Sequence, residues 1–193
     1  MPSSEPSSSR ALFALTAMLW LGLFVAGVWL DGQASFPLWQ LSVSTLTRLG
    51  ALLVPLSFPS DGWRLATAWL LHIDALHLMT NLAWLSLLTW LWPRRCATLI
   101  PLGLGVLVSG AATILLAPSH ALLSAGGSGV LLTLFAMLST GHVTMRTRTL
   151  SIVACALILS SGLWLPVDSA AHAGGLGAGL AWGLLQRRNR LTV

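Results

Sequence analysis

Six apolar runs, separated by short stretches that hold most of the charge, are the feature that most restricts what this chain can become. A helix needs about 20 apolar residues to cross the hydrocarbon core of a bilayer. The runs at 11–30, 65–92, 97–117, 127–142, 150–165 and 170–185 are read as such spans. The fourth and fifth are short, which predicts helices that start inside the membrane or are shielded by their neighbours. Charged residues make up 8% of the 193, against about 25% in a soluble domain, so the chain lacks the polar surface to face water on all sides. With 55% hydrophobic residues and a mean hydropathy of +0.82, it is expected to lie in a bilayer.

The net charge is +5 and the isoelectric point about 11.4, values that in a soluble chain would raise nucleic acid as a partner. Here all ten basic residues are arginines, and most sit between apolar runs, where orientation is decided. An even number of spans puts both termini on one side, and Arg10, Arg94, Arg95, Arg146, Arg148, Arg187, Arg188 and Arg190 then share it. Only Arg48 and Arg64 lie opposite. The positive-inside rule makes the arginine-rich side cytoplasmic. The basic balance therefore reads as orientation, and no nucleic-acid partner is expected.

The expected organisation is a disordered cytoplasmic tail over 1–10, a single six-helix membrane domain over 11–187 and a basic cytoplasmic tail over 188–193. Glu5 spoils the basic start that a signal peptide needs, so 11–30 is read as a retained span. Residues 31–62 form the longest outer connection, and the apolar patches 38–41 and 49–56 predict that it lies on or partly in the outer leaflet. Short outer turns are expected at 119–124 and 167–169. Cys96 and Cys155 predict neither a disulfide nor a metal site.

Polar groups at membrane depth cost free energy, so each calls for a partner or a task. Gly126-Gly127-Ser128-Gly129 places a hydroxyl between glycines at the mouth of an apolar helix, a plausible seat for a nucleophile and equally the composition of a close-packed helix contact. In the second span His77 and Asn81 are four apart and share a helical face. They read either as a functional pair or as an interhelical hydrogen-bond clamp. His72 lies near the water interface, as a functional group or a histidine wetted at the helix entrance. In the sixth span His172, Gly175, Gly179 and Gly183 follow i, i+3, i+7, i+11, which sets one imidazole above a ridge of bare backbone. If the helix starting at 126–129 packs on that ridge, the Ser128 hydroxyl comes within reach of an imidazole nitrogen, the geometry of a serine activated by a general base. His120, in an outer loop, and His142, at the far end of the fourth span, are read as structural or incidental.

Other chemistries fit less well. No H-E-x-x-H occurs, the offsets of His72, Asp74 and His77 do not converge for a metal, and a phosphate loop lacks its Lys. No metal or cofactor is expected. The ten tryptophans fit interfacial anchoring. A small transporter using Asp74, His72 and His77 as a proton relay would predict two related halves, and no internal repeat is seen.

Taken together, Trp63-Arg64, Thr67, His72, His77, Asn81, Gly126-x-Ser128-Gly129 and His172 with Gly175 and Gly179 resemble the rhomboid intramembrane serine proteases, in that family's order. The resemblance implies a six-helix rhomboid-like bundle with Ser128 as nucleophile and His172 as general base, a dyad with no aspartate. It implies an oxyanion site of His77, Asn81 and the Ser128 backbone N–H, an accessory role for His72 and a structural one for Trp63-Arg64. Many rhomboids place a Tyr four residues after the serine, where this chain has Leu132. The short length and compact first loop are more similar to the rhombosortase branch. That branch implies a bacterial inner-membrane enzyme opening to the periplasm and acting on C-terminal anchors made of Gly-Gly, one apolar helix and a basic tail. The implied partners are transmembrane segments of anchored substrates, and the lipid bilayer. A general rhomboid protease with other substrates, or a rhomboid-like protein that binds membrane helices without cutting them, are the alternatives.

Overall fold

The computed structural model describes residues 8–32, 38–56, 59–93, 98–116, 122–164 and 167–189. Most of the expected N-terminal tail, Arg94, Arg95, Cys96, His120 and Arg190 lie outside them. Eight α-helices are described: α1 (Ser8–Asp31), α2 (Val43–Leu49), α3 (Arg64–Thr67), α4 (Ala75–Leu91), α5 (Leu99–Leu116), α6 (Ser128–Thr140), α7 (Met145–Ser160) and α8 (Ser169–Asn189). Of these, α1 and α5 are long and apolar enough to cross a membrane, and α4 and α6 are shorter apolar helices.

The chain is not purely helical. β1 (Leu52–Val54) and β2 (Leu122–Ser124) pair antiparallel, with Leu52 opposite Ser124 and Val54 opposite Leu122. The fold is nevertheless mostly helical, as the sequence predicts, with this one short strand pair added. The second run also starts later than its hydropathy predicts. Residues 64–70 form α3 and a 3-10 turn, and α4 begins only at Ala75, where the Asp74 carboxylate accepts the His77 N–H at 2.7 Å and caps the helix. The fifth run shifts the other way, beginning at Met145 because Thr144 caps it.

The outer segment is tied to the rest of the protein by backbone hydrogen bonds and buried side chains. Leu41 N–H donates to the Ile73 carbonyl and Ala75 N–H to the Leu38 carbonyl, and Leu41, Leu46, Ala51, Leu52 and Val54 are buried. Arg64 is the clasp. Its Nη1 donates to the carbonyls of Thr47 (2.6 Å) and Ala51 (3.1 Å), its Nε pairs with Asp61, and its guanidinium lies over the Trp63 ring. Thr67 adds a bond from its hydroxyl to the Gly50 carbonyl at 2.8 Å.

At the centre stands α6, buried without interruption from Gly129 to Leu138. A helix that is apolar all round belongs inside a bundle, and α4, α5, α7 and α8 enclose it. This accounts for its shortness, since neighbours shield it from lipid. Along α8, bare backbone meets α6. A Cβ built at Gly175 would overlap the Gly129 carbonyl, one at Gly179 the Thr133 carbonyl, and one at Gly183 would press on the Thr140 hydroxyl and the Met137 carbonyl. The ridge expected from the sequence is therefore a contact surface. The Thr133 hydroxyl crosses it to the Gly175 carbonyl at 2.9 Å. On the far side, α1 turns Phe13, Trp20 and Phe24 inward, with Phe13 edge-on to Trp92 beyond α4. It leaves Met18, Leu21 and Trp29 exposed, as a lipid-facing surface would.

Candidate active site

Each glycine of Gly126-Gly127-Ser128-Gly129 has a neighbour where a side chain would be. Gly126 has φ +136°, where an L side chain is strained, and a Cβ there would strike the His77 ring at 2.5 Å. A Cβ at Gly127 would enter the Trp20 indole, and one at Gly129 would meet Ser109 Cβ at 2.8 Å. The Gly126 N–H is fixed to the Ala68 carbonyl at 3.1 Å. The chain thus turns tightly into α6 and presents Ser128 at its first position.

From α8, His172 reaches the same point. Ser128 Oγ and His172 Nε2 are 2.7 Å apart, across the seam of Gly129 and Gly175. His172 is 3% exposed, and its backbone N–H donates to the Asp168 carbonyl one turn earlier. Which partner donates in the Ser128–His172 bond depends on the imidazole tautomer.

His77 and Asn81, stacked on one face of α4, line the same cavity as Ser128 and His172. The cavity measures about 190 Å³, and its wall combines apolar groups, among them Trp84 of α4 and Leu157 and Ile158 of α7, with the polar side chains of Thr80 and Ser161. Asn81 is 1% exposed, and its Nδ2 has no hydrogen-bond partner among the described residues. A buried amide donor beside a cavity is costly unless something in the cavity accepts from it.

His72 is elsewhere. It precedes α4, is 1% exposed, and stands edge-on between Trp20 (5.0 Å) and His77 (5.2 Å). This overturns the reading of a histidine wetted at the helix entrance: it packs behind His77 and does not line the cavity. His142 follows α6 at its other end and is exposed, so it lies away from the site. Cys155 is buried on α7. No group of three or more metal-ligating side chains occurs among the described residues.

Some contributors were not read from the sequence. Gln40 lines the cavity. Asp74 caps α4 at the turn that carries His77, and an Asp three residues before His77 was the available signal. Asp168 accepts the Ala171 N–H and the hydroxyls of Thr113 and Ser124. Trp20, from the first run, forms the wall behind Gly127, and no local pattern marks it.

A serine hydroxyl against a buried imidazole, opening on a cavity among apolar helices, is an arrangement used by serine hydrolases. Residues 59–189 match the Rhomboid domain family, and the chain belongs to the rhomboid family. Members of that family are intramembrane serine proteases acting on transmembrane segments of their substrates within the lipid bilayer. No curated protein matches the chain.

Proposed function

We propose that this protein is an intramembrane serine endopeptidase with Ser128 as nucleophile and His172 as general base. The 2.7 Å contact between Ser128 Oγ and His172 Nε2 carries the reading. As Oγ attacks the scissile carbonyl, Nε2 takes its proton. The carbonyl oxygen becomes an oxyanion, received by the His77 ring, Asn81 Nδ2 and the Ser128 N–H, one of the first-turn donors of α6 that have no acceptor within the helix. Collapse of the tetrahedral intermediate expels the amine, which receives the proton from His172, and leaves an acyl-enzyme. Water or a second amine then resolves it by the reverse sequence. His72 acts as an accessory group by backing the His77 ring.

The substrate class we favour is the rhombosortase one: a single-pass protein whose C-terminal anchor carries Gly-Gly, an apolar helix and a basic tail. The compact first outer connection supports this branch. The arginine distribution supports six spans, cytoplasmic termini and a site opening to the periplasmic face of a bacterial inner membrane. A substrate helix enters between α4 and α7, whose side chains face each other across the cavity.

The test is labelling by a fluorophosphonate probe together with processing of a co-expressed anchored substrate. Ser128→Ala should abolish both, on the order of a million-fold in turnover as for other serine nucleophiles, with an unchanged melting temperature. Processing at the normal rate would remove the nucleophile assignment. A Gly-Gly to Val-Val change in the anchor should then stop cleavage by the intact enzyme. Equal cleavage of both anchors would refute the rhombosortase specificity while leaving the protease.

A further inference from the structure

One carboxylate outside the cavity joins the elements that carry both Ser128 and His172. Asp168 Oδ1 accepts the Ala171 N–H at 2.9 Å, the bond of an N-cap, and its backbone carbonyl accepts the His172 N–H at 3.1 Å. A cap needs no more than that. The second oxygen does something else: Oδ2 accepts the Thr113 hydroxyl of α5 at 2.5 Å and the Ser124 hydroxyl of β2 at 2.6 Å. Hydrogen bonds to an ionised acceptor are the short, strong kind.

Ser124 is the last residue of β2 and lies four positions before Ser128. Between them, the Gly126 N–H is held by the Ala68 carbonyl. The approach to the nucleophile is therefore pinned at two points, one of them Asp168. On α8, the same residue fixes the first turn, where His172 sits. Thr113 anchors the junction to α5, whose Ser109 backs Gly129.

We propose that Asp168 is a positioning residue that holds Ser128 Oγ and His172 Nε2 in register by bonding the entry strand, α5 and the start of α8 through one carboxylate. It does not touch the reacting atoms. This inference rests on the Ser128–His172 reading above, and the experiment keeps the two separate.

The readout is the rate of fluorophosphonate labelling per folded molecule, with kcat and KM for an anchored substrate, using the full chain in lipid vesicles. A displacement of about 1 Å at a reacting pair costs on the order of 100-fold. Asp168→Ala should therefore slow labelling by about 10- to 100-fold and lower kcat while KM stays within about twofold. Asp168→Asn, which keeps a cap and one hydroxyl contact, should recover part of the rate. Thr113→Val with Ser124→Ala should slow labelling in the native background and add little on top of Asp168→Ala, because coupled groups are not additive. If Asp168→Ala does not fold, Asp168→Asn and the double hydroxyl variant decide the matter. Native labelling rates in these variants, with only the melting temperature lowered, would overturn the proposal. Should Ser128→Ala abolish labelling while the Asp168 variants react normally, the positioning role alone fails. Persistent labelling of Ser128→Ala would sink the underlying reading instead.

Discussion

The two walls of the cavity are built on opposite principles. On the α6–α8 side, glycine backbone lies on glycine backbone, with the Thr133 hydroxyl bonded across and no room for a methyl group at Gly175 or Gly179. On the α4–α7 side, large groups such as Trp84, Leu157 and Ile158 line the cavity, and Leu157 is half exposed. Ser128 and His172 belong to the first wall, and His77 and Asn81 to the edge of the second. Close-packed interiors hold geometry and do not deform gradually. A contact that must be kept to a few tenths of an ångström is thus placed where backbone meets backbone, and the wall of adjustable side chains is left to accommodate a ligand.

Gly175→Val should break this contrast most severely. Its branched side chain would drive into the Gly129 carbonyl, and overpacking of this kind costs about 1–3 kcal/mol or more. We expect loss of both probe labelling and thermal stability, measured on purified protein; native labelling would show that the seam can yield. Asn81→Ala comes next. It should lower kcat by about 100- to 1,000-fold, the usual cost of removing an oxyanion donor, with KM and melting temperature nearly unchanged. A matching loss of stability and activity would make Asn81 an interhelical clamp.

Leu157→Ala should have a smaller effect. Its partial exposure on α7 predicts a stability change of about 1 kcal/mol or less, an unchanged probe rate and a several-fold change in KM for the anchored substrate. If labelling collapsed instead, α7 would belong with the rigid wall. Met18→Leu, on the exposed face of α1, should alter neither activity nor stability beyond about 0.5 kcal/mol, as read by thermal denaturation in detergent.

Much of this site was legible before the structure because its signals are local. His77 and Asn81 are one helical turn apart, and the glycine spacing after His172 marks a ridge with a facing imidazole. Small residues mark a ridge but not its partner, so the packing of that ridge on α6 enters the sequence reading only as a condition. What hydropathy alone could not give was where a helix begins. Residues 65–71 are apolar enough to read as membrane helix, yet Arg64 and Thr67 tie this stretch to Gly50 and Ala51, and Asp74 starts α4 afresh. The β1–β2 pair was invisible because three-residue strands about 70 positions apart carry no periodicity. The role of Asp168 has no local signal in the sequence. Its Ala171 bond is an ordinary cap, but its hydroxyl partners come from 44 and 55 residues away.

Concentrating the fit along a single line of glycines leaves the outward faces of α1, α5 and α7 free of that duty. Apolar residues there can drift, lengthen or shorten the greasy belt, and suit the protein to bilayers of different thickness without disturbing the reaction. An engineer wishing to move this protein into another host membrane therefore has a broad surface to rewrite, provided that one narrow stripe is left untouched.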